Sequence, residues 1–539
     1  MDYIIGLIAF VFVLGVIVLV HEGGHFFFAR RVNILCREYA FGMGPQLLKK
    51  RKGETVYSLR AFPIGGFCAI AGEEVEDDPL KGLKEVKLDI KNNKVVGFYL
   101  DVEKNDIDYP IYEIVKYDIF DERETGNLYI EVIKDGQNIT LDVDPKAFIY
   151  QGKLEYQIAP YNRTINSKSK RARAMVIFGG PLMNFILALL VFFMAGLIQG
   201  FPNEKSSEIA DITEDTPAYV ATLQNGDVIT KLSSSGIERN VTIWDDISLF
   251  MSSYQALGTL EEIEVTYIRD GKEYKTNLTP AVYIYNAGFA SDYTINNKVV
   301  ISSVANYDNN LANSTEIKEK DEIIMIEGKE VSTWGDVYKV FGSYIGESKV
   351  EEENWINMTV LRDGKEVEVK VKPFSKTVME TQTTTSGDKI PSVKVAMGIS
   401  PTYKFSLLKS FSYSGRRTLE SFTAIVDTFK LLFGGDVGVE NLSGPVGIFS
   451  LTKDVAKEGF SALLNLIGLL SVNIGLLNLL PIPALDGGRL VFIAYEAITK
   501  KKPNQKVETA LITVTLLLLF GLMIYVTFGD ILRLLGIRG

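Results

Sequence analysis

Histidine is nearly absent from this chain: His21 and His25 are the only two in 539 residues. That scarcity excludes a metal site built on three imidazoles. Cysteine is as rare. Cys36 and Cys68 are too few for a zinc site made of thiolates alone or for a disulfide framework, and both fall near the N-terminus. They are expected as free thiols on the cytoplasmic side. No surplus of positive charge exists to draw nucleic acid, because the net charge is −10 and the pI about 5.2. What is abundant is hydrocarbon. Apolar residues make up 47% of the chain and charged residues 23%, a mixture that fits membrane spans joined to water-exposed modules.

The two histidines stand four apart with Glu22 between them. Scattered at random, two histidines would take that spacing in roughly 0.4% of arrangements, before asking for the glutamate. On a helix, residues four apart share a face, so both imidazoles can grip one Zn²⁺ while Glu22 reaches a metal-bound water. A single histidine on an apolar face is usually a hydrogen-bonded structural residue. A glutamate at the inner end of a membrane helix has no comparably bland reading, because charge there is costly.

Four uncharged runs are long enough, or nearly so, to cross about 30 Å of hydrocarbon. They are Tyr3–Val20, Ala174–Pro202, Phe460–Leu485 and Thr509–Gly529. The first lacks a basic stretch before it and runs on into the histidine motif, which cleavage would discard or strand, so it reads as a retained span rather than a signal peptide. Basic clusters follow the first run (Arg30, Arg31, Arg37, Lys49–Lys52), precede the second (Lys168–Arg173) and separate the third from the fourth (Arg489, Lys500–Lys502, Lys506). If the four helices alternate, all three clusters share one side, which is the cytoplasmic one. Both termini and the 200–459 loop are then extracytoplasmic.

Alternation also makes the first and third runs parallel, so their ends meet at one depth. No third histidine exists, and Asp486 is the first charge after the long apolar stretch 460–485. It arrives at the right level to complete the site. Two His, one carboxylate and an open position for water is the pattern of a catalytic zinc. The competing reading makes Asp486 a helix cap, with Gly487 and Gly488 as turn residues.

The chain resembles the site-2 protease family of intramembrane zinc metalloproteases, in its bacterial RseP-like branch with tandem PDZ domains. The resemblance rests on HEGGH at 21–25, RAFPIGGF at 60–67, GGPLMN at 179–184, LSGPVGI at 442–448 and NLLPIPALDGG at 478–488. It implies that His21, His25 and Asp486 bind Zn²⁺ and that Glu22 is the general base and proton shuttle. It also implies that Asn478 contacts substrate backbone, with Asn473 as a second amide at the foot of the same run. Both asparagines also fit as helix–helix glue or backbone repair near Pro481 and Pro483. Gly180, Pro181 and Asn184 are read as shaping the start of the second helix, with no catalytic role.

The stretch Glu38–Glu73 alternates and turns like a β-hairpin, with Lys49–Gly53 at its tip and Gly65–Gly66 near its end. In the family this element dips into the membrane beside the site, where an edge strand can pair with unwound substrate. Gly65 and Gly66 are therefore candidate substrate contacts. An ordinary cytoplasmic hairpin is the alternative.

The outer loop contains a repeat of about 90 residues. Asn225–Ile229 matches Glu319–Ile323, Val241–Asp246 matches Val331–Asp336, and Tyr267–Glu273 matches Val360–Glu366. Each copy closes with an Asp-Gly hairpin. These look like tandem PDZ domains, which either bind peptide termini or act as a steric filter. Asp321 lacks the glycine that precedes Asp227, so the second turn is expected to differ. Beyond the repeats, Phe422, Ile425, Val426, Phe429 and Leu432 form a helical stripe. Residues 80–167 depart from the family's shorter link and read as a small β-rich cytoplasmic insertion with an Asp135-Gly136 turn. That insertion either binds a regulator or nucleotide or braces the hairpin.

The expected fold is therefore a multi-pass α-helical membrane protein with four transmembrane helices, a membrane-associated β-hairpin, two extracytoplasmic PDZ-like α+β domains and the β-rich insertion. Its segments are 1–30 (first span), 31–79 (hairpin), 80–167 (insertion), 168–202 (second span), 203–285 and 286–400 (PDZ-like domains). There follow 401–458 (amphipathic helix), 459–489 (third span with the LDGG motif) and 490–539 (fourth span). The expected activity is hydrolysis within transmembrane segments of single-span proteins in the bacterial cell membrane. By resemblance the substrates are anti-sigma factors after a first cut or remnant signal peptides. Expected partners are such substrates, the lipid bilayer and peptide termini at the PDZ pair, with no nucleic acid. The alternatives are a non-catalytic membrane PDZ scaffold and a zinc protease acting on soluble peptides.

Overall fold

The structure is a computed structural model that describes residues 2–73, 78–103, 108–121, 124–134, 136–152, 154–214, 216–295, 298–305, 316–382, 389–434, 438 and 443–534. Contacts divide the chain into two compact units, 1–190 with 467–522, and 191–466 with 523–539. Among the described residues, four helices are long and apolar enough to span a bilayer, at Tyr3–Arg31, Lys170–Gln199, Phe460–Asn478 and Lys506–Leu532. The third stops at Asn478, short of the expected Leu485. Pro481 and Pro483 lack the amide hydrogens a helix needs, so the chain leaves the helix and restarts one at Asp486–Thr499.

In the first unit, β1 (Cys36–Lys52) and β2 (Thr55–Ile70) meet at a tight turn over Gly53, as the hairpin reading predicts. They do not form a flat hairpin. Residues 38–41 face 66–69 on one side and 56–59 on the other, while 48–52 pair with 55–59. The ribbon has folded back on itself into four short segments. Gly42 and Gly44, each with φ of 83°, make the reversal, and a Cβ on Gly42 would strike the Phe62 carbonyl.

The 80–167 segment is a closed barrel. β3 (Glu85–Lys91), β4 (Lys94–Tyr99), β5 (Ile111–Asp118), β6 (Tyr129–Lys134) and β7 (Gln137–Gln151) pair in the order β4-β3-β5-β6-β7, and β4 also pairs with β7. β8 (Leu154–Gln157) extends β7. Leu88, Val95, Phe98, Ile130 and Ile149 are fully buried in its interior. Gly136 turns between β6 and β7 where the sequence predicts it, and Asp135 lies outside the described residues.

This barrel holds the tip of the ribbon. Arg163 donates to Glu54 at 2.9 Å, Arg51 pairs with Glu155 at 2.8 Å and sits over the Phe148 ring, and Arg37 donates to the Gln157 carbonyl. These contacts tie the ribbon to the 80–167 segment. The Arg163 hydrogen bond lowers the Glu54 pKa from 4.5 to about 2. A depressed carboxylate stabilises above its unfolded pKa and loses that contribution as pH falls through the folded value. The tie is thus complete above about pH 4.5 and lost towards pH 2. Protection factors of the Lys49–Tyr57 amides, taken relative to intrinsic exchange at each pH, should fall as pH drops through that window. Glu54→Gln should abolish the dependence, and an identical profile in both proteins would remove this account.

The second unit carries the repeat as repeated structure. Strands Val228–Ser234, Ile237–Asn240, Ile263–Arg269 and Lys272–Leu278 have the same order as Glu322–Ile326, Lys329–Glu330, Ile356–Arg362 and Lys365–Val371. Each copy has a helix starting at a tryptophan, Trp244 or Trp334. Each buries an aspartate under a forked arginine, Asp227 with Arg269 and Asp321 with Arg362. The second turn does not differ as expected. Lys320 takes φ of 71° where Gly226 has 91°, and the buried Asp321–Arg362 pair holds it there. A further sheet joins 281–284, 289–291, 301–304 and 393–396.

Leu407–Gly434 is the expected amphipathic helix, but its buried residues are Ser410, Tyr413, Ser414, Arg417, Ser421 and, near its end, Leu431. Phe422 of the predicted stripe is exposed. Small hydroxyl residues let the helix approach Gly196 closely, where a Cβ would lie 3.3 Å from Ser410 Cα. Gly444 and Gly447 of the LSGPVGI stretch donate backbone N–H groups to the buried Asp530 carboxylate at 2.9 and 2.8 Å.

Candidate active site

The histidines begin two thirds of the way along the first helix, Asp2–Arg31. Their four-residue spacing brings the two Nε2 atoms to 3.3 Å. Asp486 Oδ2 stands 3.3 Å from His21 Nε2 and 3.4 Å from His25 Nε2. Ligands held at about 2.0–2.1 Å around a tetrahedral ion stand about 3.3 Å apart. The triad therefore has the spacing zinc requires, and it is the group of three His, Cys or acidic ligands found among the described residues.

Each imidazole is set by a second contact. His25 Nδ1 donates to the Val176 carbonyl at 2.9 Å, which leaves the lone pair on Nε2. His21 Nδ1 lies 3.3 Å from the Asn184 amide, and Asn184 is fully buried with its Oδ1 unpartnered. With the amide turned so that Oδ1 accepts Nδ1–H, both atoms are satisfied and His21 Nε2 is free for metal. Gly180 sits one turn earlier, where a Cβ would press on both imidazoles. Gly24 and Gly179 bring the first two helices into backbone contact at the same level. Gly180 and Asn184, read from sequence only as helix shaping, therefore touch the site directly. An asparagine inside an apolar run signals some polar role there but does not say which.

Asp486 is the first residue of its helix, not the cap, which is Leu485. Its Oδ2 has no hydrogen-bond partner. Gly487 and Gly488 serve packing rather than a turn, because a Cβ on either would collide with the carbonyls of Leu479, Leu480 and Ile482.

A pocket of about 480 Å³ opens over the triad. Glu22, Asn478 and the Phe67–Ile70 segment of β2 line it, together with Arg489, which is ion-paired to Glu73. The Cys68 backbone lies within hydrogen-bonding reach of Glu22. The structure thus assembles His21, Glu22, His25, Asp486 and Asn478. It does not bring in the others. Asn473 is absent from the lining and keeps a buried, unpartnered Oδ1. Gly66 packs against Val18 of the first helix and Gly65 against Met43.

Replacing Asn184 tests the ring-orienting contact. Asn184→Leu should weaken zinc binding roughly 10–100-fold, the usual cost of losing such a partner. Asn184→Asp, which still accepts from Nδ1–H, should keep most of it. Equal affinities by chelator competition would remove the contact's importance.

The profile of peptidase family M50 matches residues 9–522. The protein named zinc metalloprotease RasP from Shouchella clausii is 31% identical over 530 residues, covering 98% of this chain and 99% of its own. RasP of Oceanobacillus iheyensis is 31% identical over 540 residues with 98% and 99% coverage. RasP of Geobacillus kaustophilus is 30% identical over 534 residues, 97% of each. A histidine–histidine–aspartate triad at zinc spacing, within a match running nearly end to end, leaves one assignment: the chain belongs to peptidase family M50, the site-2 proteases.

Proposed function

We propose that this chain is a zinc metalloendopeptidase that cuts peptide bonds inside the transmembrane segments of single-span membrane proteins. The observation that carries the proposal is the 3.3–3.4 Å triad of His21, His25 and Asp486 in one pocket with Glu22, at the end of an apolar helix. Bound there, Zn²⁺ would lower the pKa of a coordinated water and polarise the scissile carbonyl. Glu22 takes the water proton on its carboxylate and delivers it to the leaving amine. The Cys68 backbone, within hydrogen-bonding reach, holds that carboxylate in place. Asn478 and the 67–70 strand receive substrate backbone, which must be unwound because a membrane helix hides its carbonyls. The basic clusters beside the apolar runs support a site near the cytoplasmic face and repeated modules outside. Those modules, read as PDZ domains, bind trimmed peptide ends or exclude bulky outer domains. Substrates are anti-sigma factors after a first cut, remnant signal peptides or similar short anchors.

Presenting one candidate segment in two forms tests the reading. Purified protein with one equivalent of zinc should cut the segment embedded in vesicles and leave a soluble version largely intact. Faster cutting of the soluble form would move the activity out of the membrane. Absence of zinc from folded protein would point to a scaffold.

A further inference from the structure

A second groove, also about 480 Å³, lies on the folded ribbon and shares no lining residue with the triad pocket. Leu19, Phe41, Leu48 and Leu59 supply its hydrocarbon, and Lys49 and Lys50 stand in its wall. Its helix side belongs to the uncharged part of the first helix. Leu19 lines it, and the Phe41 ring packs so tightly on Gly15 that a Cβ there would lie 3.0 Å away. The Tyr39 hydroxyl, in the same lining, is already committed to the Leu19 carbonyl at 2.5 Å.

The surroundings say what covers it. Met43, Leu47, Leu48 and Phe62 are 53–67% exposed on the same ribbon. Large apolar side chains crowded together in this way mark an interaction or lipid surface. The neighbouring arginines have found their counterions, Arg51 on Glu155 and Arg60 on Glu38. Lys49 and Lys50 are exposed and pair with no carboxylate among the described residues. A chain with net charge −10 has thus left two cations unmatched at the end of a hydrocarbon trough. That combination is complementary to a molecule with an apolar chain and an anionic head.

We propose that this groove binds one anionic phospholipid of the surrounding bilayer. An acyl chain lies along Leu19, Phe41 and Leu59, and the phosphate rests on the Lys49 and Lys50 ammonium groups. The site is independent of the peptidase chemistry, because none of the metal-triad residues, Glu22 or Asn478 lines it.

The test uses the full chain in nanodiscs containing a trace of phosphatidylglycerol or phosphatidylcholine with a photoreactive group on the acyl chain. The cross-linked peptides are mapped by mass spectrometry. The phosphatidylglycerol probe should label residues 39–59 and the 15–20 turn, and unlabelled phosphatidylglycerol should compete. Each lysine near an anionic lipid surface is worth about fivefold, so Lys49→Gln with Lys50→Gln should lower labelling roughly 25-fold. Labelling of the fourth apolar helix, as an internal control, should stay constant. Leu48→Glu should also clear the groove. Equal labelling by both probes, or labelling unchanged in both variants, would overturn the proposal. Competition by an embedded peptide segment but not by phosphatidylglycerol would give the groove to substrate instead.

Discussion

Glu22→Gln should keep a full equivalent of zinc and lose peptide-bond cleavage by roughly 10²–10⁴-fold, the range for removing a positioned general base. Glutamine fills the same volume and leaves the spacing of the triad at 3.3–3.4 Å untouched, because Glu22 is not among the three converging atoms. It removes only the acceptor for the water proton. Asp486→Asn is the informative contrast. There the missing charge belongs to the triad itself, so both zinc content and cleavage should fall. Zinc per chain by elemental analysis, read beside cleavage of a membrane-embedded substrate, separates the two. A Glu22→Gln enzyme working at the parent rate would remove the base from the scheme, while the metal site would stand.

Much of this site is visible before any coordinates exist, and the reason is periodicity. His21 and His25 must share a helix face whatever the tertiary structure, because residues four apart always do. Asp486 stands out because an acid at the end of an apolar run is conspicuous. Contacts between distant segments carry no such mark. Asn184 meets His21 across 163 residues, and nothing local distinguishes it from an asparagine that bridges two helices. The ribbon misleads for a related reason. Alternation fixes which side chains share a face but not how many partners a strand takes, so 38–41 pairing on both edges is invisible in the pattern. The same holds for the helix at Leu407–Gly434. Its apolar stripe is periodic, yet the face that packs is lined with serines because close approach to Gly196 favours small residues. The closed barrel was legible as alternating strands, whereas its β4–β7 closure and its grip on Glu54 depend on tertiary pairing.

Gly180→Ala should abolish stoichiometric zinc binding in a protein that still folds. Inside a helix alanine is favoured over glycine by about 1 kcal/mol, so local propensity predicts a gain in stability. The site predicts the opposite for function. The added methyl would stand 2.7 Å from His25 Cε1 and 2.8 Å from His21 Cε1, closer than carbon atoms approach without displacement. Neither ring can yield freely. His25 is tied through Nδ1 to Val176 and His21 lies against the buried Asn184. Rotating either imidazole carries its Nε2 away from Asp486 and breaks the tetrahedral spacing. Gly24→Ala separates this effect from general damage, since its methyl would meet the Gly179 backbone and push the two helices apart. That variant should lose thermal stability together with zinc. Gly180→Ala should keep its melting temperature within a few degrees and lose the metal alone. Wild-type zinc affinity in Gly180→Ala would show that the imidazoles have more room than this packing gives them.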